Sequence, residues 1–123
     1  MNIFTSSFSV SRGLDPSKYL VVSISRFPPK WFHGIKCFEF APSSQLLHDY
    51  HDGMAQCLYV YRYRTEVLER GDVHKVFERL AGISQGRDIV LCCFESAEKF
   101  CHRHLLADYV KEVWGYSINE LVS

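Results

Sequence analysis

The chain has no net charge at neutral pH, because its 14 Lys and Arg balance 14 Asp and Glu with the histidines neutral. That counts against a general polyanion binder, whose affinity comes mostly from neutralising phosphates, although one local basic pocket stays open. No window reaches the roughly 18 apolar residues of a membrane span. The opening Met1-Asn2-Ile3-Phe4-Thr5-Ser6 lacks a charged segment followed by an apolar one, so no secretory signal is read there. There is no internal repeat, linker or low-complexity tract. Five cysteines is an odd number with no spacing of a disulfide framework. The expected setting is therefore a reducing cytoplasm with free thiols, and the expected fold is one domain over residues 1–123.

What is present is a hydrophobic content of 47%, ordinary for a globular domain, and an aromatic content of 15%. Tyr19-Leu20-Val21-Val22-Ser23-Ile24-Ser25 and Ile89-Val90-Leu91-Cys92-Cys93 are apolar, β-branched runs and predict buried strands. Met1 to Thr5, alternating Ile35 to Phe40, and the segment around Ile118 add shorter ones. Gln45 to His51 predicts a short helix capped by Ser43 or Ser44. Although Leu58-Tyr59-Val60-Tyr61-Arg62-Tyr63 has the ring content of a strand, Met54, Leu58, Tyr61, Thr65 and Leu68 share one helical face. So do Val73, Val76, Phe77 and Leu80, and later Leu105, Leu106, Tyr109, Val110 and Val113. Strands alternating with helices predict an α/β fold: a mostly parallel, Rossmann-like sheet of about four to five strands flanked by helices.

In such sheets ligands collect at the carboxyl ends of strands, where the next helix begins. The most informative stretch lies there: Leu91-Cys92-Cys93-Phe94-Glu95, a polar loop, then Phe100-Cys101-His102-Arg103-His104 opening a helix. A helix N-terminus carries about half a positive charge and disfavours cations, so three basic residues there call for an anion or a carboxylate. Arg103 is the candidate anion fork, and His102 the candidate general acid or base. Cys101 is the candidate nucleophile, since a thiol at a helix start beside cations is acidified. Against covalent chemistry, Arg103 follows Cys101 by only two residues. Glu95 either orients His102 or acts as a base, or else is an ion-pair partner for Arg103 or Lys99. No metal is expected, because zinc half-sites space their ligands two to four residues apart and neighbouring Cys92 and Cys93 point to opposite faces of a strand. No organic cofactor is expected either.

Two further loops belong to the same rim if their strands run parallel to the Ile89 strand. Ser25-Arg26-Phe27-Pro28-Pro29 brings Ser25 and Arg26 to bear on a phosphate, with Trp31 stacking on a flat ring. Pro42 and Ser43 complete the edge. Tyr59, Tyr61, Tyr63, Arg62 and Arg64 alternate rings with cations, as a surface for nucleic acid or protein or, the favoured reading, as a helix face with snorkelling arginines.

These residues resemble the domain-of-unknown-function 488 family. Its members show a strand ending Leu-Cys and one further residue before Glu, then a short loop to Cys-His-Arg on a helix. The counterparts here are Leu91-Cys92-Cys93-Phe94-Glu95 and Cys101-His102-Arg103, with one extra residue between Cys92 and Glu95. Thr5-Ser6-Ser7-Phe8 and Pro29-Lys30-Trp31-Phe32 are similar to the smaller members. The resemblance implies a compact α/β domain with its site around Cys-His-Arg, and it implies no reaction.

The functional expectation is a small anionic partner, a phosphate-bearing nucleotide or nucleotide sugar. His102 and Glu95 would serve as an acid/base pair at its glycosidic or phosphate bond. The alternatives are a non-catalytic sequestering or adaptor protein, such as a phage or mobile-element accessory factor, and a nucleic-acid-binding module. Neutral charge disfavours the last.

Overall fold

The computed structural model describes residues 1–122. Five strands form one sheet in the order β3-β2-β4-β1-β5, every neighbouring pair parallel. They are β1 (Ile3–Ser7), β2 (Tyr19–Ser23), β3 (Ile35–Lys36), β4 (Asp88–Cys93) and β5 (Asn119–Glu120). The α/β class and the parallel sheet are those expected from the sequence. Among the described residues no helix is long and apolar enough to cross a membrane.

Strand alternation divides the core in two. Leu20, Val22, Ile89 and Leu91 face the larger cluster, with Leu46, Tyr59, Tyr63, Leu80 and Leu106 from the helices packed on them. Val90 and Cys92 face the smaller cluster with Phe8 and Phe32. Cys92 and Cys93 are both buried. Burial in the smaller cluster pushes the Cys92 thiol up to about 12, so it packs as an inert apolar group. Cys93 is set apart from that cluster.

The helices are α1 (Phe8–Ser11), α2 (Ser44–His51), α3 (Gln56–Tyr63), α4 (Val73–Ser84) and α5 (His102–Trp114). Ser43 caps α2 by accepting from the Leu46 N–H, and Asp72 caps α4 by accepting from Lys75. The ambiguous Tyr-rich segment is helical, and α3 runs on into a π-helical stretch, Arg64–Glu69.

Two sequence boundaries move for identifiable reasons. β2 stops at Ser23 and not at Ser25, because the Ser25 N–H turns to the Ser23 hydroxyl at 3.2 Å. The alternating Ile35 to Phe40 segment yields only a two-residue edge strand. Its ladder ends with Ser23↔Lys36 because β2 ends there, and Phe38–Phe40 coils into a 3-10 turn that buries Phe40 and leaves Phe38 exposed.

Gly34 admits a sharp test. A Cβ at this position would press on the Val21 carbonyl oxygen and the Phe32 ring. Gly34→Ala is therefore expected to cost about 1–3 kcal/mol through overpacking, read as a lower urea midpoint with an unchanged m-value.

Candidate functional site

Because all five strands are parallel, their carboxyl ends open on one edge, and β2 and β4 are neighbours there. The Ile24 N–H donates to the Cys92 carbonyl at 3.0 Å, which brings the chain leaving β2 against the chain leaving β4. A cavity of about 330 Å³ lies at this junction. Its wall includes Ser25, Arg26, Pro42, Cys93, Glu95, Cys101 and His102, and rings from Phe27, Tyr50, Tyr59, Phe94 and Phe100. Mostly apolar lining with a few convergent polar groups is the usual make-up of a small-molecule site.

Arg26 sits on the rim. Its Nε donates to the Pro42 carbonyl at 3.1 Å, and its guanidinium lies 5.4 Å from the Phe38 ring centroid. Among the described residues no carboxylate pairs with it.

His102, the first residue of α5, is buried among rings, 5.5 Å from Tyr63 by centroid. Its Nε2 lies 2.6 Å from the Ile24 carbonyl oxygen. A carbonyl only accepts, so Nε2 carries the proton, and Nδ1 offers its lone pair 3.8 Å from the Cys101 sulfur. Burial, with smaller contributions from Arg103 and His104, pushes the imidazole down to about 4 despite the Ile24 hydrogen bond. His102 is thus neutral at physiological pH and suited to accept or ligate.

Arg103 is fully buried. Its Nε and Nη2 fork onto Glu120 at 3.2 and 2.8 Å, and its Nη1 donates to the Cys93 sulfur at 3.0 Å. The carboxylate that the basic helix start calls for is therefore Glu120 on β5. Burial pushes the Glu120 carboxyl up, but hydrogen bonds from Arg103 and Thr5 outweigh this and hold it below its ordinary range. Cys93 and Cys101 are joined as a disulfide, which corrects the expectation of free thiols throughout. Cys37, Cys57 and Cys92 are free.

The fold brings Ser25, Arg26, Pro42, Glu95, Cys101 and His102 to one cavity and leaves other expected residues elsewhere. Trp31 packs on Phe8 and beneath the Arg12 guanidinium, 4.4 Å from its centroid, and lines a different cavity. The Ser43 hydroxyl is spent on capping α2. Glu95 is exposed on the cavity wall, while the Arg103 partner is Glu120 and the His102 partner is Ile24. In the Tyr-rich segment Tyr59 and Tyr63 are buried, Arg62 pairs with Asp49 and Glu66, and Arg64 pairs with Glu69 and Glu112.

Two features escape sequence reasoning. Glu120 meets Arg103 only because β5 docks beside β1, and no local signal announces that pairing. Cys93 lies ten residues before Arg103 in the chain, but the short loop between β4 and α5 folds back and brings its sulfur within 3.0 Å of Arg103 Nη1.

Comparison with known proteins gives one family. The family described as DUF488-N3a, the active DUF488-N3 subclade, matches residues 26–113, which include Arg26, Cys93, Cys101, His102 and Arg103. No curated protein and no solved structure gives a match. With well over half of its length matched, the chain belongs to the DUF488 family.

Proposed function

We propose that the cavity between β2 and β4 binds a small phosphate-bearing ligand of nucleotide or nucleotide-sugar type, in the cytoplasm. The observation that carries this reading is Arg26: a rim guanidinium beside a ring-lined cavity, without a carboxylate partner among the described residues. A planar guanidinium matches phosphate geometry through paired N–H donors. Tyr50, Tyr59, Phe27, Phe94 and Phe100 offer ring faces and edges to a flat base. Anion recognition thereby passes from Arg103, which Glu120 already neutralises, to Arg26.

Chemistry at the phosphate or glycosidic bond would draw on what faces the cavity. Glu95 is the exposed carboxylate on the wall and the candidate base. His102 contributes as a neutral group, since its donor is already committed to Ile24. The family's description as an active subclade agrees with turnover.

A thermal-shift panel of nucleotides, nucleotide sugars and inorganic phosphate tests the reading, alongside mass spectrometry of small molecules released from purified protein. We expect stabilisation by at least one phosphorylated ring compound. Arg26→Ala should weaken its binding about tenfold to a hundredfold, the worth of charge-assisted hydrogen bonds of roughly 1.5–3 kcal/mol. Absence of a shift with every phosphorylated compound overturns the proposal. A bound ligand recovered unchanged between pH 5 and 9 identifies a sequestering protein in place of an enzyme.

A further inference from the structure

We propose that the reduced chain binds one zinc-like divalent ion through Cys93 Sγ, Cys101 Sγ and His102 Nδ1, leaving one coordination position open to the cavity. The three donor atoms all lie within 4.8 Å of one another, and all three residues are buried. The proposal needs only these side chains, so it stands or falls independently of whether the ligand is a nucleotide.

Spacing along the sequence argues against a metal here; the fold reverses that argument. One thiol comes from the end of β4, and the other two ligands come from the start of α5, where Cys101 is the N-cap and His102 the first helical residue. Both supports are regular elements, so the ligands are held on rigid backbone.

Backbone separation is the second argument. The Cα atoms of Cys93 and Cys101 stand 7.5 Å apart, beyond the roughly 4.4–6.8 Å that disulfides usually span. Two thiolates on a tetrahedral zinc, each at about 2.3 Å, lie about 3.8 Å from each other. An ion between the sulfurs therefore suits this spacing better than a direct bond does.

Orientation is the third. An imidazole that ligates a metal almost always gives its other N–H to a carbonyl or carboxylate, which fixes the tautomer. The Ile24 carbonyl does this for His102 at 2.6 Å and turns Nδ1 toward the sulfurs. The outer partner of Cys93 is present as well: Arg103 donates to its sulfur at 3.0 Å, and Glu120 neutralises Arg103. Two thiolates and a divalent ion then sum to zero charge beside a neutral Arg–Glu pair. Thiolate and imidazole donors favour zinc over magnesium or calcium. Three protein ligands with one open position are the pattern of ions that take part in chemistry. Cys93, Cys101 and His102 all line the cavity, so that position faces it.

Loading requires reduction. A dithiol or phosphine reductant supplies two electrons and, with two protons, converts the disulfide to two thiols while the reductant is oxidised. The ion then replaces both thiol protons, which are released to solvent. The oxidised chain has only His102 to offer and does not hold the ion.

The test uses the full chain, stripped of metal and reduced by a phosphine under argon. Zn²⁺ is titrated against a chromophoric chelator, and Co²⁺ is followed by its thiolate charge-transfer and tetrahedral d–d absorption. We expect one ion per chain, at least tenfold weaker binding in Cys101→Ser and His102→Gln, and no change in Cys57→Ser, which removes an exposed free thiol. Alkylation of the folded wild-type chain, mapped by peptide mass spectrometry, avoids reliance on variants that fold poorly: Zn²⁺ should protect Cys93 and Cys101 and leave Cys57 labelled. The proposal is overturned if the reduced chain binds neither metal, if the oxidised chain binds equally well, or if Zn²⁺ leaves Cys93 and Cys101 as reactive as before.

Discussion

Arg103→Ala is expected to lose about 3–5 kcal/mol of folding stability, the usual cost of removing one partner from a buried ion pair. Domains of this size are stable by only about 5–15 kcal/mol in total, so this one side chain decides whether much of the population is folded. The Arg103 guanidinium is 0% exposed and makes three contacts that join three elements: Glu120 of β5 through two bonds and Cys93 of β4 through one. Alanine leaves the Glu120 carboxylate half-buried with only the Thr5 hydroxyl to serve it, and opens a void at the root of α5. Lysine keeps the charge but cannot fork onto both carboxylate oxygens, so Arg103→Lys should fall between wild type and alanine. The check is urea denaturation of the single variants and of Arg103→Met with Glu120→Gln. If the cost is an uncompensated charge, the double variant recovers a large part of it. A loss below about 1 kcal/mol in Arg103→Ala would show that the pair behaves like a surface salt bridge.

That prediction differs from the one the sequence invites, and the difference shows which kinds of information a chain displays locally. The apolar runs at Tyr19–Ser23 and Asp88–Cys93 and the helical faces of α4 and α5 are local periodicities, so these elements and the parallel sheet are legible. The rim is legible too, because strand direction alone places Arg26 and Cys101 at one edge once β2 and β4 are neighbours. What is hidden is pairing across distance. The Arg103 partner lies on a two-residue strand that exists only by docking beside β1. Trp31 goes to the opposite side of the sheet because Phe8 and Phe32 form an apolar nest there. Composition announces neither. The Cys93–Cys101 pairing is concealed in a different way, since a loop's return path depends on tertiary contacts and not on the count of residues in it.

Acid should weaken the metal-free, oxidised protein before its carboxylates begin to protonate, and His102 is the reason. In the folded state burial holds its imidazole at about 4, against an ordinary value of 6.5 in the unfolded chain. Above 6.5 the ring is neutral in both states and contributes no pH dependence. Between 6.5 and about 4 the unfolded chain takes up a proton that the folded one refuses, so the unfolded state gains and stability falls as pH falls. At about 1.4 kcal/mol per pH unit this interval amounts to roughly 3 kcal/mol. Glu39 works in a separate window: the Arg79 hydrogen bond holds it at about 2 against an ordinary 4.5, so its contribution is lost only below that ordinary value. Glu120, held low by Arg103 and Thr5 against its burial, belongs to the same lower window. The slope of unfolding free energy between pH 6.5 and 4.5 therefore lies above the window of these carboxylates, and a comparison with a variant at position 102 assigns the share that belongs to His102. Urea denaturation across that range, with chelator present, should show stability rising with pH in wild type. His102→Gln keeps an N–H donor for Ile24 but cannot titrate, and should flatten the slope over that interval. A wild-type slope that persists unchanged in His102→Gln would assign the acid sensitivity to another group and remove the case for a neutral, buried imidazole aimed at the Cys93–Cys101 sulfurs.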